Sequence, residues 1–369
     1  MEGKKENKSF YIILSFFTIV LSMLGAYLVV TLCQTKPEVQ TIKDYSNIQI
    51  SDTGIAGSVL KVYDSVVVVE TYKNNKLYAT GTGFVFKTDD NYGYILTNHH
   101  VVESGTSFKV RFTNGEEVEV TVAGSDEYSD VAVLKVSKDK VISVATIGSS
   151  SDMLVGDTTF VIGAPLDADT YSWTVTRGIL SGKDRLVEVS SSTYKSVVMN
   201  VLQTDTAINN GNSGGPICNA NGEVIGITSL KLVDESVEGM GFAIPIETAI
   251  SYAEKLINGE EIVQPYLGVG MINVTDAYYK QAYYKMLSEY NITSGVVIDS
   301  VEKGSPASQA GINKGDIIVK INDNEVTSIG YLRYYLYNYA PGDKVTITYI
   351  RNGETKETVV TLTTKTKLY

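Results

Sequence analysis

The stretch Gly211-Asn212-Ser213-Gly214-Gly215-Pro216 decides how the rest of this chain is read. A serine set among glycines suits a nucleophile, because the backbone there has to approach a substrate carbonyl closely. Amide N–H groups around such a serine can point inward and hold the negative charge that develops on that carbonyl. One such donor is worth about 10²–10³ in rate. The string alone does not fix the fold, since it also satisfies the looser G-x-S-x-G found at a strand-to-helix turn.

Chain order settles that ambiguity. An α/β-hydrolase carries its histidine after the serine. The chain has two histidines, His99 and His100, and both precede Ser213. The order left open is His, Asp, Ser, as in chymotrypsin-type sites. Asp126 and Asp130 are the neighbouring acidic candidates. Asp130 begins an apolar run and would be held by a rigid strand, which favours it over Asp126.

The sequence around these residues is patterned for strands. Val66-Val67-Val68-Val69, Gly83-Phe84-Val85-Phe86 and Tyr94-Ile95-Leu96 are β-type runs. Val118, Val120 and Val122 alternate with polar residues, the mark of a half-buried strand. Asn114-Gly115 and Asn221-Gly222 are turn signals between such runs. Many short strands with Gly-rich turns predict a mainly β fold, a barrel or a sandwich. A helix is predicted over Ile246–Ile257, stopped by Asn258-Gly259. A second unit begins near Gln264-Pro265. It has strand patterns at 296–298, 317–319, 345–350 and 358–362, and a helical one at 328–339. Residues 275–290 read as an inserted helix.

Composition sets limits on function. With 43% hydrophobic residues, the 369-residue chain can bury cores for two or three domains. The net charge is −11 and no basic stripe occurs, so nucleic acid is not an expected partner. Cys33 and Cys218 lie far apart, with no metal-ligand spacing around them. No metal and no cofactor is implied. Cys218 reads as a small core residue.

Residues 10–32 carry no charge, and a helix of that length reaches about 35 Å. Leu32 before Cys33 suits neither a signal-peptidase site nor a lipoprotein site, which favours an uncleaved transmembrane anchor. Lys4, Lys5 and Lys8 place residues 1–9 in the cytoplasm and everything after the span outside it. Residues 33–52 read as a polar tether, 53–259 as the catalytic domain and 264–366 as the second domain.

Four segments carry a specific resemblance. Thr97-Asn98-His99-His100-Val101-Val102 is similar to the T-N-x-H-V segment of the HtrA family. Ser129-Asp130-Val131-Ala132-Val133-Leu134-Lys135 resembles its D-x-A-V-L-K strand. Leu202-Gln203-Thr204-Asp205-Thr206-Ala207-Ile208-Asn209 leads into the serine loop as in that family, and Gly241-Phe242-Ala243-Ile244-Pro245 closes the domain in the same manner. Tyr266-Leu267-Gly268-Val269 resembles the carboxylate-binding loop of its PDZ domains. The match continues at Val301-Glu302-Lys303-Gly304-Ser305-Pro306-Ala307 and at 310–318.

The resemblance implies a trypsin-like double β-barrel followed by one PDZ domain. It implies a serine endopeptidase that cleaves misfolded or damaged extracytoplasmic proteins and assembles as a trimer. Carried over by position, Ser213 is the nucleophile, His100 the general base and Asp130 the group that orients it. Gly211 and Ser213 supply the oxyanion N–H groups. His99 falls at the variable position and reads as a packing or surface residue. The PDZ loop 266–269 would take the carboxylate of a C-terminal peptide, which adds as a strand beside the helix at 331–339. The reading from a different class is a catalytically idle peptide sensor or scaffold.

Some positions depart from trypsin or from the family. Asn212 cannot form the ion pair with a new N-terminus that activates trypsin-type zymogens. Asn210 stands where the family often has proline, and asparagine tolerates left-handed geometry. Ala207 lies six residues before Ser213, where trypsin has an acid, and Ile227 is expected on the pocket wall. A pocket without charge predicts cleavage after small aliphatic residues. Arg185 falls where the family has a regulatory loop arginine that links PDZ occupancy to the active site.

Overall fold

The computed structural model describes residues 8–33, 54–164, 173–189, 196–229 and 239–364. It divides into two units, Met1–Ser51 and Asp52–Tyr369.

The first unit is one helix, α1, Lys8–Cys33. Side chains are described for residues 13–28, all exposed, Phe16, Phe17 and Leu21 among them. Among the described residues no helix is long and apolar enough to cross a membrane. Apart from Cys33, the expected tether lies outside the described residues.

The second unit opens with a helix that the strand patterning did not suggest, α2, Gly54–Tyr63. Its two glycines weaken the helical signal. Tertiary contacts hold it: Val62 is fully buried, and Ser58 Oγ and Lys61 Nζ donate to the carbonyls of Ala220 and Asn221.

Two closed barrels follow. The first contains β1 Val66–Lys73, β2 Lys76–Thr88, β3 Tyr92–Thr97, β4 Ser107–Arg111, β5 Glu117–Asp126 and β6 Val131–Ser137, in the order β1-β2-β3-β6-β5-β4. The second contains β7 Thr158–Gly163, β8 Thr174–Val189, β9 Val197–Thr204, β10 Pro216–Asn219, β11 Val224–Thr228 and β12 Gly241–Pro245, in the order β10-β11-β12-β9-β8-β7. The valine-rich runs are buried strands: Val66, Val67, Val68 and Val69 are at most 1% exposed. Each such side chain contributes about 1.5–3 kcal/mol by leaving water. Cys218 sits fully buried in a core cluster, and burial pushes its thiol well above the ordinary range. A one-turn helix, α3 His99–Val102, joins β3 to β4. Helix α4, Ile246–Ile257, closes the domain. Its Glu254 accepts from Lys87 at 2.7 Å, and Gly259 beyond it adopts φ +67.

The PDZ-like part is a sheet in the order β14-β15-β16-β18-β19, from strands Val269–Asn273, Val296–Val301, Ile317–Ile321, Lys344–Arg351 and Glu354–Thr361. A short pair, β13 Pro265–Tyr266 with β20 Thr363–Thr364, ties its ends together, and β17 Asn324–Glu325 pairs with β16. The expected inserted helix is two helices, α5 Val274–Ala277 and α6 Gln281–Glu289. Lys280, the extended N-cap of α6, breaks the run. A short helix α7, Pro306–Gln309, precedes β16, and α8, Ile329–Leu336, precedes β18. Ser328 caps α8 by accepting from the Tyr331 amide.

Candidate active site

The site is built where the two barrels meet. Helix α3 is anchored by Val101 and Val102, both at most 5% exposed, and this leaves the His100 ring a quarter exposed. Gly81 on β2 makes room for it, since a Cβ there would lie 2.7 Å from the Val101 side chain. Asp130 stands just before β6, is 1% exposed, and adopts φ +55. Left-handed backbone costs a residue with a side chain about 1–2 kcal/mol.

Hydrogen bonds hold Asp130 in that conformation. Its carbonyl accepts from Asn98 Nδ2 at 3.0 Å and from the His99 amide at 3.2 Å. Its carboxylate accepts from the His100 amide at 3.1 Å. His100 Nδ1 lies 2.9 Å from both carboxylate oxygens. Ser229 Oγ donates to Oδ2 at 2.9 Å. A buried carboxylate with this many donors can stay ionised. It also keeps the imidazole proton on Nδ1, which leaves Nε2 as the acceptor. The rival Asp126 is committed elsewhere, accepting from the Ser129 amide and hydroxyl at 2.8 and 2.7 Å.

The serine loop is stitched onto both barrels. Thr82 N–H donates to the Ser213 carbonyl at 2.8 Å, and Thr82 Oγ1 to the Gly211 carbonyl at 2.7 Å. Thr228 Oγ1 donates to the Asn212 carbonyl at 2.6 Å. Gly214, at φ +85, has no room for a side chain: a Cβ would lie 2.2 Å from the Thr82 carbonyl oxygen and 3.1 Å from the Asn98 amide nitrogen. Ser213 and Gly214 are thereby seated against the backbone that leads into His100. Ser213 itself is 5% exposed.

In the second domain, Leu267 is buried in the core, while Gly268 adopts φ +78 with Ser305 where a Cβ would go. A groove of about 340 Å³ runs between segment 264–271 and α8. Its floor is apolar, with Leu332 1% and Leu336 5% exposed. Tyr266 hydroxyl donates to Glu302 at one rim, and that carboxylate pushes the phenol up to about 12. Strand β14 is the outermost of its sheet among the described residues.

Comparison with known proteins agrees with this architecture. Residues 81–227 match the trypsin-like peptidase domain family, and residues 265–362 the PDZ domain family. The chain is 35% identical over 350 residues to the serine protease Do-like HtrA of Lactococcus lactis subsp. cremoris, covering 87% of this chain and 86% of that protein. This chain belongs to the HtrA family of Do-like serine proteases. It is 42% identical over 278 residues to the Do-like HtrA of Bacillus subtilis, a match that spans 74% of this chain and 61% of that longer relative. A solved structure of the HtrA-type protease AlgW with a decapeptide superimposes with a TM-score of 0.63 at 26% identity, covering 84% of this chain and 98% of that one.

Against this HtrA framework, several sequence expectations need correction. Ile227 is not a pocket wall. It is fully buried in the barrel interior and belongs to a core cluster with Ile162, Cys218 and Ile244. Strand alternation turns it inward, and the segment that continues past Ser229 lies outside the described residues. Ile208, next to Ala207, is half-buried and lies against Gly241, where a Cβ would be 2.7 Å from its Cδ1. Ala207 is exposed, and its carbonyl accepts from Thr176 at 2.9 Å. Beside Asn210, whose side chain would tolerate a left-handed backbone, it is Gly211 that adopts one, at φ +101.

Arg185 is not in a loop. It lies in β8 next to a register shift, opposite Val201, and its side chain is exposed beside Gly182. His99 is half-buried, and its Nδ1 is buried with no hydrogen-bond partner among the described residues. Ser229 was missed altogether. It follows β11, and only the closed second barrel brings it under Asp130.

Proposed function

We propose that this chain is a serine endopeptidase acting on unfolded polypeptides, with Ser213, His100 and Asp130 as its catalytic residues. The observation that supports it most is the clasp of His100 Nδ1 by the buried Asp130 carboxylate, 2.9 Å away and braced by Ser229. With Nδ1 so held, Nε2 takes the proton from Ser213 as its Oγ attacks the scissile carbonyl. The N–H groups of Gly211 and Ser213 hold the resulting oxyanion. His100 then returns the proton to the leaving amine. Water repeats the sequence on the acyl-enzyme and releases the acid.

Ala207 and Ile208 give the pocket an apolar, uncharged character. Cleavage of a peptide library is therefore expected after valine or alanine. Preferred cleavage after arginine or lysine would contradict this. The PDZ domain takes C-terminal peptides, their carboxylate at loop 266–269 and their strand on β14. The peptide-bound AlgW structure supports a peptide ligand for this family.

The membrane anchor rests on the uncharged sequence 10–32, which falls within helix α1; the side chains described there, 13–28, are too short a stretch to span by themselves. The catalytic and PDZ domains lie outside the cytoplasm, following the lysines at 4, 5 and 8. Protease added to the outside of intact cells is expected to degrade both domains. Domains that resist until the membrane is broken would reverse this orientation.

A further inference from the structure

The peptide groove has one charged side chain among the described residues that line it, Arg333 on α8. Around it the lining is apolar or neutral, with Leu267, Met271, Leu332, Leu336 and Tyr337. This is an unusual place for a cation in a chain of net charge −11. The buried leucines suit an apolar side chain and offer nothing to a polar one. Arg333 offers the opposite chemistry, a planar donor fork that fits a carboxylate.

Arg333 is already engaged, and one of its bonds is to a backbone carbonyl. Its Nη1 donates to the Ser196 carbonyl at 3.3 Å, a long bond to a neutral acceptor. A carboxylate forms a bond roughly twice as strong with the same guanidinium. The helix itself is held in place. Ser328 Oγ donates to Glu188 at 2.7 Å, and a Cβ on Gly330 would lie 2.5 Å from Ser196 Oγ. Arg333 is thus presented on a fixed element, and preorganised donors bind more tightly. At the opposite rim Glu302 is engaged by Tyr266, and its charge disfavours a second acid there.

We propose that this groove selects C-terminal peptides that end in an apolar residue and carry a carboxylate side chain within reach of Arg333. The proposal rests on the reading of the groove as a peptide site and adds the class of peptide it takes. The acidic side chain bonds the Arg333 guanidinium in competition with its present partners, the Ser196 carbonyl among them, while the terminal side chain packs on Leu332 and Leu336.

The test uses the full chain carrying Ser213→Ala, so that peptides are not cut. Rhodamine-labelled octapeptides ending in valine are titrated by fluorescence anisotropy. Glutamate or glutamine stands at the second, third or fourth residue from the end. Glutamate at one of these positions is expected to tighten binding about tenfold at low salt, and less as salt screens the pair. Arg333→Gln abolishes the difference, Arg333→Lys retains part of it, and Arg333→Glu turns it in favour of lysine. Equal affinity for glutamate and glutamine at every position overturns the proposal, as does a preference that survives in Arg333→Gln. Failure of every peptide to bind overturns the peptide-groove reading itself.

Discussion

Replacing Ser213 with alanine is expected to lower the hydrolysis of unfolded casein by about 10⁴–10⁶-fold. In the proposed mechanism the hydroxyl is the attacking group. The fold should survive, because the backbone of Ser213 and not its hydroxyl makes the bond to Thr82. A thermal midpoint within a few degrees of the parent would show that chemistry, not folding, was lost. His100→Ala should cost about as much, and the double variant hardly more. Groups that act as a unit lose their effect together. Multiplying losses in the double variant would mean that serine and histidine work separately.

Asp130→Asn is the second large effect, expected to lower kcat by about 10⁴-fold. The amide keeps the size of the side chain but presents an N–H to His100 Nδ1. The imidazole then shifts its proton to Nε2, where it can no longer accept from Ser213. The loss should fall on kcat with KM little changed, because nothing in the substrate groove is touched. Ser229→Ala removes one donor from the same carboxylate, at 2.9 Å, and leaves the histidine tautomer in place. Its loss should be far smaller, about tenfold. Similar losses in the two variants would show that the way the carboxylate is held, and not the tautomer it sets, carries the effect.

The legible parts of this chain were those fixed by local spacing. Valine runs at 66–69 and alternation at 118–122 reported strands, because burial on a sheet leaves that imprint directly. The order of His100 and Ser213 excluded an α/β-hydrolase before any geometry was known. The choice of Asp130 over Asp126 rested on its place at the start of a strand, and the two carboxylates do face different partners.

What escaped the sequence depends on closure and phase. Ser229 is 99 residues from Asp130, and nothing local marks it as that residue's partner. Ile227 was placed by its neighbours in the chain, but a strand sends alternate side chains to opposite faces, and its face is the core. The contact of Ile208 with Gly241 exists only once the barrel brings the two together. Arg185 was placed in a loop because it falls where the family has a loop arginine. In the barrel residues 181–184 are a register shift within a long strand. Helix α2 is held by the 220–221 turn rather than by its own propensity.

The most direct test of the central claim is covalent labelling with a peptidyl phosphonate that carries valine at the reactive position, followed by mass analysis of the digested chain. One adduct on the peptide containing Ser213 is expected, with labelling strongly slowed in His100→Ala and in Asp130→Asn. No adduct on the intact chain, or an adduct that forms as fast without the imidazole, would contradict the account.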